Sequence, residues 1–470
     1  MSTDVVATID RLRATFDSGR TTDLGWRKRQ LQGVIDLVRE NEEQLADALT
    51  ADLGKPAFDS WLTELNLVKD EAAHALKHLG SWVKPTKHSV PLVVQPAKAW
   101  TEPQPLGVVL IIAPWNYPLQ LLLAPAVAAL AAGNAMVLKP SELAPATSAA
   151  VAELVPRYLD AEAVAVVEGG VPETTALLEQ AWDHILYTSS TRVGRVVMEA
   201  AAKHLTPVTL ELGGKSPTII AADADLKVAA KRVAWAKILN AGQTCIAPDY
   251  VLVSEDKKIA LIDAIHDTVK SFYGQTPIEW RNSPDLCRIV NRRHFDRIKG
   301  LLDDAKKHGA QVAFGGDTDE HDNYISPTVI TDIGDASKIL EEEIFGPLLP
   351  VITYRHLDEA LEYIRRGEKP LALYVFSSSE NAIENVIRNT AAGGTSVNDC
   401  LMQFVNPKLP FGGSNNSGLG RYHGHHGFKA FSHERAVFKQ SRLFNPMQIF
   451  YPPYGGQFRE TFQKFIRHIM

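Results

Sequence analysis

Three short segments of the chain carry side chains suited to acyl-transfer chemistry. In Gly242-Gln243-Thr244-Cys245-Ile246-Ala247-Pro248-Asp249-Tyr250 a single thiol stands in a turn of small residues, displayed as a nucleophile would be. The competing reading is a buried cysteine acting as a small hydrophobe, the more common fate of a lone cysteine. Two further segments favour the nucleophile. Glu211-Leu212-Gly213-Gly214-Lys215-Ser216-Pro217 ends an apolar strand on a carboxylate, and Pro114-Trp115-Asn116-Tyr117-Pro118 holds an amide between two prolines. Nucleophile, base and oxyanion donor are the parts this chemistry requires.

The elements that must hold these groups follow from the hydrophobic pattern. Gly107-Val108-Val109-Leu110-Ile111-Ile112 reads as a buried strand leading into the Asn116 segment, and residues 119–132 beyond it as a buried helix that carries Pro125 and is too short to span a bilayer. Trp115, Asn116, Tyr117 and Pro118 therefore break an apolar stretch, 106–138, that would otherwise suggest a membrane helix. Strands at 135–138, 163–168, 184–187 and 208–212 continue a first series that alternates with helices. A second series lies at 217–221, 250–253, around Tyr354, at 373–376 and at 394–397. Such alternation predicts mostly parallel sheets covered by helices. The opening stretch, with Val5, Ile9, Leu12 and Phe16 and then Leu31, Ile35, Val38 and Leu45, has the spacing of packed helices. Between His88 and Trp100, Pro91 and Pro96 interrupt an apolar run, which suits an extended arm. After Tyr451 a short helical pattern puts Phe458, Phe462, Phe465, Ile466 and Ile469 on one face. That face is expected to pack on its own protein or a neighbouring subunit, with a weak membrane-surface contact as the second reading.

Composition excludes several classes. At 470 residues the chain exceeds what one hydrophobic core serves, so two or more domains are expected. With 45% hydrophobic and 22% charged residues it reads as a soluble globular protein, and a formal charge of −6 argues against nucleic acid as a partner. Cys245, Cys287 and Cys400 are odd in number and irregularly spaced, so neither a disulfide framework nor a cysteine-rich zinc site is expected, and a reducing, cytoplasmic setting fits. The start, Met1-Ser2-Thr3-Asp4, has no signal-peptide pattern. His423, His425 and His426 lack metal-ligand spacing, and no metal is expected. No Gly-x-Gly-x-x-Gly fingerprint follows any strand, so the usual dinucleotide argument has no purchase.

Taken together, the three segments resemble the aldehyde dehydrogenase superfamily, and Ile-Ala-Pro-Asp-Tyr after Cys245 resembles its class 3 branch. The likeness continues through Lys139-Pro140-Ser141-Glu142, Glu343-Ile344-Phe345-Gly346-Pro347, Ser396-Val397-Asn398-Asp399, Leu409-Pro410-Phe411-Gly412-Gly413, Tyr422-His423-Gly424 and Phe431-Ser432-His433. It implies an α/β fold of two open, mostly parallel domains with a bridging β-arm used in oligomerisation. The implied division is a cofactor-binding domain at 1–82 and 103–210, a catalytic domain at 211–428, the arm at 83–102 and 429–443, and a tail at 444–470. A homodimer is implied as well.

By the same resemblance the cofactor is NAD, with NADP possible. Lys139 contacts the adenosine ribose and Glu142 faces its hydroxyls, where a carboxylate disfavours a 2′-phosphate. Glu343 and Phe345 hold the nicotinamide ribose, and Trp115, Ser189, Ser190, Val193 and Gly213 join the site. The family's phosphate turn reads Thr-Gly-Ser; this chain has Thr188-Ser189-Ser190. A second departure is Ser414-Asn415-Asn416-Ser417-Gly418 in place of Val-Gly-Asn-Ser-Gly, where Asn415 is a tolerable substitute for a glycine with positive φ. The implied reaction is oxidation of medium or long aliphatic, or aromatic, aldehydes to carboxylates. Cys245 forms a thiohemiacetal whose oxyanion is held by the Asn116 amide and the Cys245 NH, and Glu211 activates water to cleave the thioester. Tyr117, Leu121, Phe404 and Phe411 are the candidate walls of an apolar substrate funnel, with ordinary core packing as the alternative for each. The competing functions are a semialdehyde dehydrogenase or an acylating one, of which the retained Glu211 argues against the acylating version, and a non-catalytic binding protein on the same fold.

Overall fold

Two largely parallel sheets and a small antiparallel arm organise the chain, whose computed structural model describes residues 4–453 and 456–469. The first sheet runs in the order Val164–Val166, Ala135–Lys139, Val108–Ile112, His184–Thr188, Val208–Glu211, Gly418–Leu419. Every residue of Val108–Ile112 and Ala135–Lys139 is buried, in keeping with the apolar runs of the first strand and of the second up to Leu138. The helix Gln120–Ala132 that follows the central strand is buried on all sides, covered by Leu24–Glu40, Asn66–Trp82 and Gly424–Ala430. The apolar stretch at 106–138 is thus a core strand, a turn and a core helix, and no helix among the described residues is long and apolar enough to cross a membrane.

The second sheet has the order Gln311–Phe314, Thr328–Thr331, Leu348–Tyr354, Tyr250–Ser254, Pro217–Ile220, Ala372–Phe376, Gly394–Val397, parallel except at its first strand. The first two of these strands were not in the series read from the sequence. Two details differ from the sequence-based division at 211. Glu211 is the last residue of a strand of the first sheet, and Gly418–Leu419 returns to pair antiparallel with Glu211 and Leu210. A two-residue strand carries no periodicity, so pattern alone does not reveal this return.

The arm is Ala97–Pro105 flanked by Thr86–His88 and Ser432–Gln440, so its first part extends three residues past 102. Pro103 and Pro105 lie beyond the stretch paired with Thr86–His88, where the strand has a neighbour on one side and a missing N–H is harmless. Leu92, Val93 and Phe438 of this region are exposed. In the tail, Gln457–Ile469 is helical, with the Phe462 and Phe450 ring centroids 5.5 Å apart and Pro446–Phe450 against the Leu92–Val94 turn. The tail therefore rests on its own arm at this point, while Phe458 is exposed and the side chains of Phe465, Ile466 and Ile469 lie outside the described residues.

Candidate active site

Asn116 lies in the turn between the central strand and the buried helix. Its carbonyl accepts hydrogen bonds from Asn240 Nδ2 at 2.8 Å and Lys55 Nζ at 3.4 Å, and its side-chain Nδ2 donates to the Gln243 carbonyl at 2.9 Å. An amide nitrogen carries two hydrogens, so one remains to meet an oxyanion. Gln243 is itself pinned, donating to the Asn240 and Arg288 carbonyls at 3.0 and 2.9 Å and accepting from the Val290 NH at 3.0 Å. Tyr117 ties the same turn to the residue before Cys245, its hydroxyl 2.6 Å from Thr244 Oγ1. Beneath it Lys55 and Glu64, both fully buried, pair at 2.5 Å, and Glu64 accepts the backbone NH groups of Leu119 and Gln120 at 2.9 and 3.2 Å.

Cys245 follows three consecutive residues with left-handed backbone, Asn240 (φ 52°), Ala241 (φ 53°) and Gly242 (φ 74°). Strain of this kind costs about 1 kcal/mol or more per non-glycine residue and persists only where surrounding contacts impose it. At Gly242 no side chain fits, since a Cβ would lie 2.3 Å from the Gly346 carbonyl oxygen. Tyr374 secures the far side of the turn, its hydroxyl donating to the Ile246 carbonyl at 2.6 Å.

The electrostatics around the thiol are those of a dry acidic site. Burial pushes the Cys245 thiol up to about 12, with Glu343 and then Glu211 adding to the rise. Burial likewise lifts Glu211 well above the carboxylate range, opposed by Arg421, and both its carboxylate oxygens are buried without a hydrogen-bond partner. A buried, unpartnered carboxylate is rare in a settled core and common where a proton is to be moved. Glu211 is held through its backbone: its carbonyl accepts from the Ser189 NH at 3.1 Å, and the next residue, Leu212, donates to the Ser417 carbonyl at 3.1 Å. The Ser414 to Ser417 turn therefore braces the segment carrying the carboxylate. Asn415 has φ 58°, so asparagine does take the left-handed conformation, and its Oδ1 accepts from Lys369 Nζ at 2.9 Å.

Among the residues read as cofactor contacts, Lys139 ends one strand of the first sheet, and Ser189, Ser190 and Gly213 follow the ends of two others. Lys139 ends its strand buried, donates to the Pro140 carbonyl at 2.7 Å, and faces Glu142, Glu173 and Glu168; burial pulls its ammonium below the usual lysine range, against those three carboxylates. Ser190 precedes the helix Thr191–Ala202 with no side-chain cap, leaving first-turn NH groups for an anion, and Val193 packs on the core. The Glu343 carboxylate lies so close to Gly213 that a Cβ there would fall 1.9 Å from Oε2. Burial and then Asp249 push Glu343 up to about 8, opposed by the Gly214 backbone, Arg297 and Lys215. The Trp115 and Phe345 rings meet edge-on at 5.5 Å. An ammonium among carboxylates, an uncapped helix start and a glycine closely approached by a carboxylate together fit a dinucleotide.

Of the four candidate funnel residues, Phe411 alone borders the cavity of about 220 Å³ that also includes Leu371, Thr395, Gln403, Leu409 and Pro410. Phe404 meets Phe411 at 5.0 Å and stacks on His423; Tyr117 and Leu121 are buried. Lys55, Glu64, Asn240, Gln243, Tyr374 and Gln403 were not singled out in the sequence. The available signal was weak: Asn240 and Gln403 are polar residues between apolar neighbours, whereas Tyr374 lies inside an apolar strand and Glu64 within a helix. Among the described residues no group of three or more His, Cys, Asp or Glu side chains is placed to hold a metal.

This site sits on the fold of a dehydrogenase that acts through a cysteine. A sequence model of the aldehyde dehydrogenase family matches residues 1–437, and the chain belongs to that family. It is 45% identical over 453 residues to an aldehyde dehydrogenase of Craterostigma plantagineum, covering 96% of this chain and 94% of that one. It is 46% identical over 458 residues to aldehyde dehydrogenase family 3 member A2 of Rattus norvegicus, covering 97% and 93%. Among solved structures it is similar to the substrate-bound state of Staphylococcus aureus AldH, with TM-score 0.93 and 42% identity over 98% of this chain and 99% of that one. A Bacillus cereus aldehyde dehydrogenase in complex with NAD+ matches with TM-score 0.84 and 28% identity over 93% and 89%. The protein is accordingly an NAD(P)-dependent oxidoreductase acting on aldehydes, of the class 3 type.

Proposed function

We propose that Cys245 is the nucleophile, that the Asn116 side-chain amide and the Cys245 NH hold the oxyanion, and that Glu211 is the general base. The observation that carries this reading is the buried, unpartnered Glu211 carboxylate acting on the Cys245 thiol, beside a turn to which Asn116 is hydrogen-bonded. Attack by sulfur on an aldehyde carbon gives a thiohemiacetal, whose negative oxygen meets the free Asn116 N–H. Bound NAD supplies the hydride acceptor. Water deprotonated by Glu211 then cleaves the thioester to the carboxylate and restores the thiol. The presence of that base favours hydrolysis over acyl transfer to an external thiol.

Lys139, Glu142 and the start of Thr191–Ala202 would hold the adenosine and pyrophosphate, and Glu343 with Phe345 the nicotinamide ribose. Glu142, Glu168 and Glu173 around Lys139 favour NAD over NADP, because three carboxylates oppose a 2′-phosphate. The apolar wall at Leu409, Pro410 and Phe411 suits medium or long aliphatic, or aromatic, aldehydes. The three free cysteines suit a cytoplasmic setting, and the exposed apolar residues of the arm suit a homodimer. The domain reading that goes with this is a cofactor-binding unit on the first sheet and a catalytic unit on the second.

The test is NADH formation with an aliphatic and an aromatic aldehyde, run beside Cys245→Ser with the carboxylate identified. Product from wild type alone supports the nucleophile; equal rates from Cys245→Ser would remove it. Glu142→Gln should raise kcat/KM with NADP relative to NAD, and an unchanged ratio would dismiss the carboxylate argument.

A further inference from the structure

The fully buried pair Lys55 and Glu64 has no part in the steps above, although it touches the oxyanion turn at two places and the start of the following helix at two more. Glu64 accepts the backbone NH groups of Leu119 and Gln120, at the start of the buried helix, at 2.9 and 3.2 Å. Lys55 donates to the Asn116 carbonyl at 3.4 Å and lies 4.3 Å from the centroid of the Tyr117 ring. The pair is closed at 2.5 Å with neither side chain exposed. A buried ion pair is weak evidence for stability, because desolvation offsets its attraction. Its retention at zero exposure beside a catalytic amide asks for another reason.

Geometry supplies one. The turn 114–118 must aim a single N–H at an atom that bears charge only in the transition state, and such donors act when they are held still beforehand. The Asn116 side chain is held by the Gln243 carbonyl, and its backbone by Asn240 and Lys55. Glu64 anchors Lys55 and fixes where the following helix begins, so Asn116 is bounded on both sides.

We infer that Lys55 and Glu64 are positioning residues for the oxyanion site, acting through Asn116; the inference rests on the reading of Asn116 as the oxyanion donor. Neither touches substrate or cofactor. A misplacement of about 1 Å in a catalytic group lowers the rate by up to about 10²-fold.

The experiment is a double-mutant cycle on kcat/KM for aldehyde at saturating NAD. Lys55→Met with Glu64→Gln removes the charges together, avoids an unpaired buried ion, and keeps an acceptor for Leu119 and Gln120. This variant should lose between about 10-fold and 10²-fold, and Asn116→Ala about 10² to 10³-fold. Adding the pair substitution to Asn116→Ala should then cost nothing more, since the donor it positions is gone. Alkylation of Cys245 by iodoacetamide, which forms no oxyanion, should keep its wild-type rate in the pair variant. The inference is overturned if the pair variant matches wild type, if its loss multiplies undiminished onto Asn116→Ala, or if alkylation slows in parallel. Should the pair variant fail to fold, Lys55→Gln with Glu64→Gln, which also leaves no unpaired buried charge, goes through the same cycle with the same outcomes. An unimpaired Asn116→Ala would instead fell the oxyanion reading itself, a result distinct from any of these.

Discussion

Glu211 and Cys245 sit in an environment that disfavours the charge each must bear. Burial raises both, and each carboxylate near the thiol raises it further. A general base works deprotonated, so turnover should keep rising with pH above the range where an ordinary carboxylate has finished titrating, and that part of the dependence should disappear when Glu211 is replaced. With Glu211 as the base, Glu211→Gln should form the thioester and hydrolyse it slowly, so rapid mixing should show one equivalent of NADH per subunit followed by a steady state about 10² to 10⁴-fold slower. A variant without burst and with normal turnover would assign the base elsewhere. His184 offers a test of stability. Burial lowers its pKa to about 4, with Nε2 3.0 Å from Thr209 Oγ1 and Nδ1 unpartnered. Between the unfolded value near 6.5 and the folded value, the unfolded chain binds a proton the folded one refuses. Stability from this group is therefore full above pH 6.5, falls on acidification and is lost near pH 4, a total of about 3 kcal/mol. Glu343, raised to about 8, acts in the opposite sense, losing stability as pH rises from its unfolded 4.5. Comparing urea midpoints at pH 7 and pH 5 in wild type and His184→Gln isolates the histidine, whose replacement should shrink the acid loss; an identical loss in both would refute the assignment.

Local structure enters most sharply in the turn before the nucleophile. Asn240, Ala241 and Gly242 all take positive φ, and the space at Gly242 is filled by the Gly346 carbonyl. Gly242→Ala meets a backbone atom and not a flexible side chain, so the turn has to move. We expect activity to drop at least about 10²-fold through displaced Cys245 and Gln243, with a lower melting temperature. Retained kcat with unchanged melting would show that the turn is more compliant than its contacts suggest. The turn after Phe411 makes the complementary point: Asn415 tolerates φ 58°, so the departure from glycine leaves the pairing of Gly418 with Glu211 intact.

For the molecule as a whole, the arm and the tail carry the open questions. Leu92, Val93, Phe438, Leu443, Phe444 and Phe450 are exposed around the arm, a set of apolar side chains that a second copy would cover. Light scattering at micromolar concentration should report a dimer, and a monomer would contradict it. Removal of residues 451–470 takes away Phe462, whose ring meets Phe450 near the arm, and should lower the melting temperature; an unchanged melting temperature would show that the tail adds nothing to the arm.

Much of this was legible in the order of residues. Cys245, Glu211 and Asn116 stand in local segments whose small, apolar or proline neighbours advertise them, and the all-apolar strands and helix around 106–138 announce a parallel core, because burial on both faces leaves no room for alternation. Chemistry that depends on residue type at one turn is written locally. The brace on Asn116 is assembled from Lys55, Glu64, Asn240 and Gln243, from well-separated parts of the chain, and the two-residue strand Gly418–Leu419 is defined only by its partner. Burial, which raises Cys245, Glu211 and Glu343, and the like charges that add to the rise at Cys245 and Glu343, exist once distant segments have closed around them and excluded water, so the fold alone sets these proton affinities.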